Sequence, residues 1–250
     1  MILFAEETAR AAGEVLLKYF GRIHEVEYKG SKDFATKADF ESEKEVVRLI
    51  REEYPEHNIS SEEMGELNNG SKYTWYVDPL DGTHNFFYGL PYFGVSIGLT
   101  LKNQPLLGVI YLPAENQMFT AQKNKGAFFG KKRMRVSTRN LPKSLVFYDS
   151  RFNIGTEEKM RSLSRLSSRV FSIRSLGVAT ASFAFLASGK ADAYVMHSVK
   201  SWDIMAGALL VEEAGGKVTD FRGRPWSADS ENLLASNRTI HKQILKAVAP

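Results

Sequence analysis

Cysteine is absent from all 250 residues. That excludes a disulfide framework, a thiolate zinc site, an iron–sulfur cluster and a catalytic thiol. Long apolar runs are absent as well; nothing approaches the ~18 consecutive apolar residues of a membrane span. The start, Met1-Ile-Leu-Phe-Ala followed by Glu6, Glu7 and Arg10, has neither the basic stretch nor the apolar core of a secretory signal. These absences lead us to expect a cytoplasmic protein with no membrane partner. Internal repeats, low-complexity tracts and flexible linkers are missing too, so one packed unit is expected.

What is present is ordinary in bulk and uneven in detail. Hydrophobic residues make up 43% and charged residues 25%, as in a globular protein with a full core. The net charge of +4 splits into −8 over residues 1–120, +11 over 121–180 and +1 over 181–250. A basic middle suits nucleic acid or a small anionic substrate. An acidic first part suits either a solvated face or carboxylates that hold a metal.

Apolar spacing predicts helices over about 4–20 and 38–54, the second followed by Pro55. A strand is expected at 57–60 and another at 74–77, the latter stopping at Asp78-Pro79. Short β-rich runs at 92–101, 106–112, 117–121 and 134–136, separated by turn residues, suggest an antiparallel meander. From about 144 the pattern alternates. Strands are expected at 145–148, 170–173 and 193–196, and helices at 156–167, 178–187 and 204–214. A final helix is expected over about 238–248. A weak boundary near Asn140-Leu-Pro142 divides an α+β region, 1–142, from an α/β region, 143–250.

Asp78-Pro79-Leu80-Asp81-Gly82-Thr83 is the most informative segment. A strand delivers Asp78 at its C-terminal end, and Gly82 permits a sharp turn into the next segment, Thr83 to Tyr88. Two carboxylates three residues apart on such a turn can converge on one hard cation, which takes oxygen ligands. The same residues also fit a capping Asp and a plain Asp-Gly turn. Glu62-Glu63 reads equally as a solvated acidic loop, and Asp203 and Asp39 each as a helix N-cap.

Taken together, Glu62-Glu63, then Trp75-Tyr-Val-Asp78-Pro-Leu-Asp81-Gly-Thr83-His-Asn85-Phe86, then Trp202-Asp203 and Glu213-Ala-Gly-Gly216, resemble the inositol monophosphatase family. This family lies in the lithium-sensitive, metal-dependent phosphatase superfamily that includes fructose-1,6-bisphosphatases. The resemblance runs over nearly the whole chain in the right order. It implies an α+β fold, a layered α-β-α-β-α sandwich, forming one catalytic unit over 1–250.

The resemblance also implies roles. Glu62, Asp78 and the Leu80 carbonyl would hold one Mg²⁺; Asp78, Asp81 and Asp203 a second; Glu62 and waters a weaker third. Mn²⁺ would serve in place of Mg²⁺, and Li⁺ would inhibit. The nucleophile would be a metal-activated water, with Thr83, Asp39 and Glu62 as the catalytic groups. The Gly82 and Thr83 amides would hold the phosphate. Lys29, Lys32 and Asp33 precede Asp39 in a stretch resembling the family's mobile metal-gating loop. A homodimer is the implied assembly, and a small phosphorylated sugar or polyol the implied substrate.

Substrate choice is expected from the second half. Arg174-Ser-Leu-Gly177-Val178-Ala179 resembles the segment that meets the sugar or inositol ring, beside Asp81. Inositol monophosphatases usually carry a Glu seven residues before the Trp-Asp aspartate; here that position is Met196, which accepts no strong hydrogen bond. Arg174, His197 and Lys200 are cationic candidates for a second phosphate, with Tyr148 and Arg151 further candidates. Fructose 1,6-bisphosphate, or dual activity on inositol phosphate and fructose bisphosphate, is therefore the first alternative. The alternative from another class is an RNA- or transcription-factor-binding protein, because some bacterial members contact transcription machinery and Lys123, Lys125, Lys131, Lys132, Arg133, Arg135 and Arg139 cluster in sequence.

Overall fold

A computed structural model describes residues 1–22, 26–30, 33–153 and 155–249. Lys32, one of the three residues assigned to the gating stretch, lies outside them. The chain opens with α1 (Ile2–Tyr19), the hairpin β1 (Val26–Gly30) and β2 (Asp33–Thr36), and α2 (Lys37–Glu53). Next come β3 (Asn58–Ser61), β4 (Gly65–Leu67), β5 (Tyr73–Asp81) and the short α3 (Thr83–Phe87). The meander comes after them as β6 (Gly94–Leu101), β7 (Gln104–Leu112), β8 (Gln117–Gln122), β9 (Gly126–Phe129) and β10 (Lys132–Arg133). Beyond it lie β11 (Leu145–Tyr148), α4 (Thr156–Ser167), β12 (Ser172–Arg174), α5 (Ala179–Ala187) and β13 (Ala193–Met196). The chain finishes with α6 (Ser201–Glu213), β14 (Lys217–Thr219), β15 (Leu233–Ser236) and α7 (His241–Val248).

These elements stack in five layers. α1 and α2 cover one face of an eight-stranded sheet of order β10-β9-β8-β7-β6-β5-β3-β4. α5 and α6 lie between that sheet and a five-stranded one of order β12-β11-β13-β15-β14, whose far side carries α4 and α7. Each interface has its own apolar core. The sequence dictates which helix goes where. In α1 the buried Ala5, Ala9, Ala12 and Leu16 form one stripe, so it can cover only one sheet. In α6 every residue from Ile204 to Val211 is buried, as a helix between two sheets must be. Its close approach depends on glycine: a Cβ on Gly108 would sit 2.8 Å from the Cα of Ala206.

The expected layered α+β sandwich is therefore the observed one, with local differences. β5 does not stop at Asp78-Pro79; it continues to Asp81 through an irregular register between Asp78 and Asp81. The run expected at 134–136 pairs earlier, as β10, because Arg133 faces Phe128 and the Met134 amide is already bonding back to Ala127. The last helix begins at His241 rather than near 238. The β1–β2 hairpin, β4, β14 and β15 had no clear sequence signal; strands of three to five residues are too short for a period to show.

Candidate active site

The carboxyl ends of β5, β11 and β13 and the starts of α3, α5 and α6 meet around a cavity of about 650 Å³. Ligands collect at such strand ends in α/β arrangements. β5 brings Asp78, Leu80 and Asp81, the turn after β3 brings Glu62, and the first turn of α6 brings Asp203. Gly82 joins β5 to α3 with φ of +88°, a conformation that glycine adopts without strain. A Cβ there would also strike the Tyr92 carbonyl oxygen at 2.9 Å.

Four carboxylates in one cavity repel one another. Asp78 is buried, receives the Leu80 amide at 3.1 Å and has its pKa raised well above the usual range, first by burial, then by Glu62, Asp81 and Asp203. Asp81 is raised by burial against the pull of two bonds from Thr180, its amide at 2.5 Å and its hydroxyl at 2.6 Å. Burial and the Glu62 charge push Asp203 up to about 7, although the Lys200 amide donates to it at 3.0 Å. Glu62 takes the Lys29 ammonium at 3.1 Å, and the same ammonium reaches Glu63 at 2.5 Å. Each carboxylate has thus turned to a nearby donor. Among the described residues no three are arrayed at ligand spacing. The set nonetheless fits a divalent cation: it is all oxygen, converges on one cavity and has an excess negative charge that a hard cation relieves.

Asp39 and Asp203 are not N-caps. Thr36 caps α2, and Asp39, three residues on, returns its Oδ2 to the Thr36 amide at 2.7 Å and the Thr36 hydroxyl at 2.6 Å. Asp203 stands in the same position relative to Lys200. This capping-box geometry leaves the other oxygen of Asp39 for the Thr83 hydroxyl, which donates at 3.0 Å. Burial raises Asp39 to about 6 despite those bonds.

Gly82, Thr83, Gly177, Val178, Ala179 and Met196 all lie on the cavity wall. Asn85 fastens two of these segments together, donating to the Leu176 and Tyr92 carbonyls at 2.8 Å each. Arg174 and Lys200 do not line the cavity; Arg174 is exposed and donates to Ile173 and Ser172 beside it. His197 and Tyr148 are turned inward. They share a 2.7 Å bond, and burial with the nearby Lys159 lowers His197 to about 4, so its ring is neutral and binds no anion by charge. The wall instead carries Arg151, Asp149 and Tyr194. Asp149 and Arg151 come directly after the parallel strand β11, the one sequence signal for them.

A family model described as the inositol monophosphatase family matches residues 1–250. A Thermotoga maritima protein named fructose-1,6-bisphosphatase/inositol-1-monophosphatase is 36% identical over 246 residues, covering 98% of this chain and 94% of its own length. A Pasteurella multocida protein named Nus factor SuhB is 36% identical over 259 residues, covering 100% and 96%. The crystal structure of extragenic suppressor protein suhB from Bartonella henselae superposes with a TM-score of 0.95 at 33% identity, over 98% of this chain and 96% of that one.

Proposed function

The chain belongs to the inositol monophosphatase family and is a phosphatase, a phosphoric monoester hydrolase, and we propose that it hydrolyses a small sugar or polyol phosphate with Mg²⁺ in the cavity beneath β5. The convergence of Glu62, Asp78, Asp81 and Asp203 on one cavity is the observation that carries this reading. Glu62, Asp78 and the Leu80 carbonyl would hold one cation, Asp78, Asp81 and Asp203 would hold a second, and Glu62 would contribute to a third. When bound, the ions neutralise phosphate charge and lower the pKa of a water.

The chain's own residues do the positioning. Thr83 donates a hydrogen bond to Asp39, which leaves its lone pairs to accept from the attacking water and aim it. Glu62 assists that water from the carboxylate side. The Gly82 and Thr83 amides hold phosphate oxygens in line with it, the main requirement of phosphoryl transfer. Gly177, Val178 and Ala179 bound the ring of the substrate. Met196, buried on the wall, offers that ring only a weak acceptor, which disfavours inositol 1-phosphate relative to a substrate held by other contacts.

A homodimer is the assembly proposed on family grounds. A second role at a nucleic acid or transcription partner is favoured by one observation besides the name of the Pasteurella relative. Lys123, Lys125, Lys131, Lys132 and Arg133 are exposed together around β9 and β10.

Phosphate release with Mg²⁺ tests the enzymatic reading across inositol 1-phosphate, fructose 1,6-bisphosphate, histidinol phosphate and adenosine 3′,5′-bisphosphate. Metal-dependent release from the sugar or polyol esters is expected. No release from any of the four overturns the assignment of this cavity.

A further inference from the structure

The buried face of α2 is of two kinds. Val46, Val47 and Ile50, on its later turns, share a core with Ile59, Trp75, Val77 and Leu80 of β3 and β5. Asp39, Ser42 and Glu43, on its first turns, are equally buried but polar. Asp39 meets Thr83. The other two reach segments that carry candidate metal ligands. The Ser42 hydroxyl donates to the Pro79 carbonyl at 3.0 Å, between Asp78 and Leu80. Glu43 Oε1 accepts the Glu63 amide at 2.9 Å, one residue beyond Glu62.

Both contacts fall where the sheet gives no support. The β3 ladder ends at Ser61, which pairs with Gly65 and Val77, so Glu62, Glu63 and Met64 lie outside it. The ladder between β5 and β6 skips from Asp78 to Asp81, so Pro79 and Leu80 lie outside it as well. Glu63 gives its side chain to Lys29 and its amide to Glu43. Glu43 is 1% exposed, and among the described residues its Oε2 has no hydrogen-bond partner. A buried carboxylate held by one amide is poorly compensated, and an apolar side chain would pack α2 there at lower cost. Packing therefore does not account for Glu43. What an apolar side chain lacks is an acceptor for the Glu63 amide, and through it a hold on the turn that presents Glu62.

We propose that Ser42 and Glu43 are positioning residues for the metal site. Seated by its apolar turns, α2 braces the Glu62 turn and the Asp78–Leu80 bulge, and so keeps Glu62, Asp78 and the Leu80 carbonyl within reach of one divalent cation. This rests on the reading of those three groups as cation ligands. Neither Ser42 nor Glu43 lines the cavity, so both act through the ligand-bearing backbone. Metal ligands depend on the groups that orient them, and loss of such a group typically costs about 10- to 100-fold in affinity.

The test uses the full chain, unaltered and as Glu43→Gln, Glu43→Leu and Ser42→Ala. Mg²⁺ binding is measured by calorimetry, and exchange of the Glu63 amide hydrogen is followed by NMR in EDTA. Glu43→Leu removes the acceptor. Its Mg²⁺ affinity is expected to fall at least about tenfold, and its Glu63 amide to exchange at least about tenfold faster. Glu43→Gln loses the charge but keeps an acceptor oxygen, so both quantities are expected to stay within about threefold of the unaltered protein. Ser42→Ala is expected to weaken Mg²⁺ binding at least about threefold with Glu63 exchange unchanged, and it supplies the metal readout if Glu43→Leu does not fold. Equal losses in Glu43→Gln and Glu43→Leu overturn the proposal, because Glu43 then acts by charge and not by holding the turn. Full Mg²⁺ affinity in folded Glu43→Leu, or in Ser42→Ala, overturns it too. If the unaltered protein binds no Mg²⁺, it is the ligand reading that has failed, and Glu63 exchange still decides whether Glu43 holds the turn.

Discussion

The Thr83 hydroxyl donates to Asp39 Oδ1 at 3.0 Å, across 44 residues of chain and between the first turns of two different helices. The Leu80 carbonyl lies 3.1 Å from the same Thr83 hydroxyl. Both groups accept from the hydroxyl's one proton, so its lone pairs point away from the pair of them. Thr83→Ala removes that orientation and leaves the cavity otherwise intact. Its kcat is expected to fall by about 10² to 10³, with KM changed much less. Thr83→Ser keeps the hydroxyl and is expected to retain most of the activity. Steady-state kinetics on the best substrate of the panel checks both.

Asp78→Asn separates metal binding from folding. Asp78 is a buried carboxylate among three others, so removing its charge relieves repulsion. In EDTA the variant is expected to melt at or above the temperature of the unaltered protein. Added Mg²⁺ is expected to raise the Tm of the unaltered protein and not that of the variant, because a ligand that binds only the folded state stabilises it. Phosphate release is expected to fall more than about a hundredfold. A variant that keeps turnover sinks the ligand assignment.

His241 gives a pH dependence remote from the cavity. It is buried between the Ser236 and Thr219 hydroxyls at 2.7 Å and 3.0 Å. Burial, with Lys217 and Arg238 nearby, lowers its pKa from 6.5 to about 4. In that window the unfolded chain binds a proton that the folded one does not, so folded stability is lost as pH falls from 6.5 towards 4. Urea unfolding at pH 7.5 and pH 5 is expected to show the unaltered protein losing up to about 1 kcal/mol more than His241→Gln, after allowance for solvent screening. Equal losses in the two proteins contradict a neutral buried ring.

Gly108→Ala tests the packing of α6. The added methyl would lie 2.8 Å from both the Cα and the carbonyl oxygen of Ala206, which are backbone atoms that cannot swing aside. A loss of about 1–3 kcal/mol in urea unfolding is expected. Phosphate release should fall with it, because α6 carries Asp203 into the cavity.

Much of this molecule was legible residue by residue. Apolar spacing over 4–20 announces a helix, although the face it buries is Ala5, Ala9, Ala12 and Leu16 while Leu3 stays exposed, and the apolar run from Ile204 announces another. The spacing of Asp78 and Asp81 around Pro79, with Gly82 after them, signals a turn that gathers carboxylates. These signals are local: they depend on the repeat of a helix, the pleat of a strand or the stiffness of a turn residue, and they survive in a linear string.

Other features have no local signal, because partners far apart in the chain create them. Met196 was readable as a missing acceptor. Arg174, in the segment that resembles the family's ring-contacting stretch, and Lys200, close in sequence to Asp203, are by contrast both left off the cavity wall that Arg151 occupies. Nothing in the string around Lys159 marks it as wholly buried; on α4 it reads as one more solvated lysine. Only when α4 packs behind β11 does its ammonium meet Asp149 and the Arg151 carbonyl. The charge division of the chain obeys the same rule. The absence of cysteine excludes thiolate ligands, and the excess of carboxylates in the first half offers oxygen ones. Which carboxylates share a cavity, and which of fourteen basic residues in 121–180 faces it, depends on strand ends meeting in three dimensions. Burial and hydrogen bonding set the ionisation and direction of those groups, and both exist only in the packed fold.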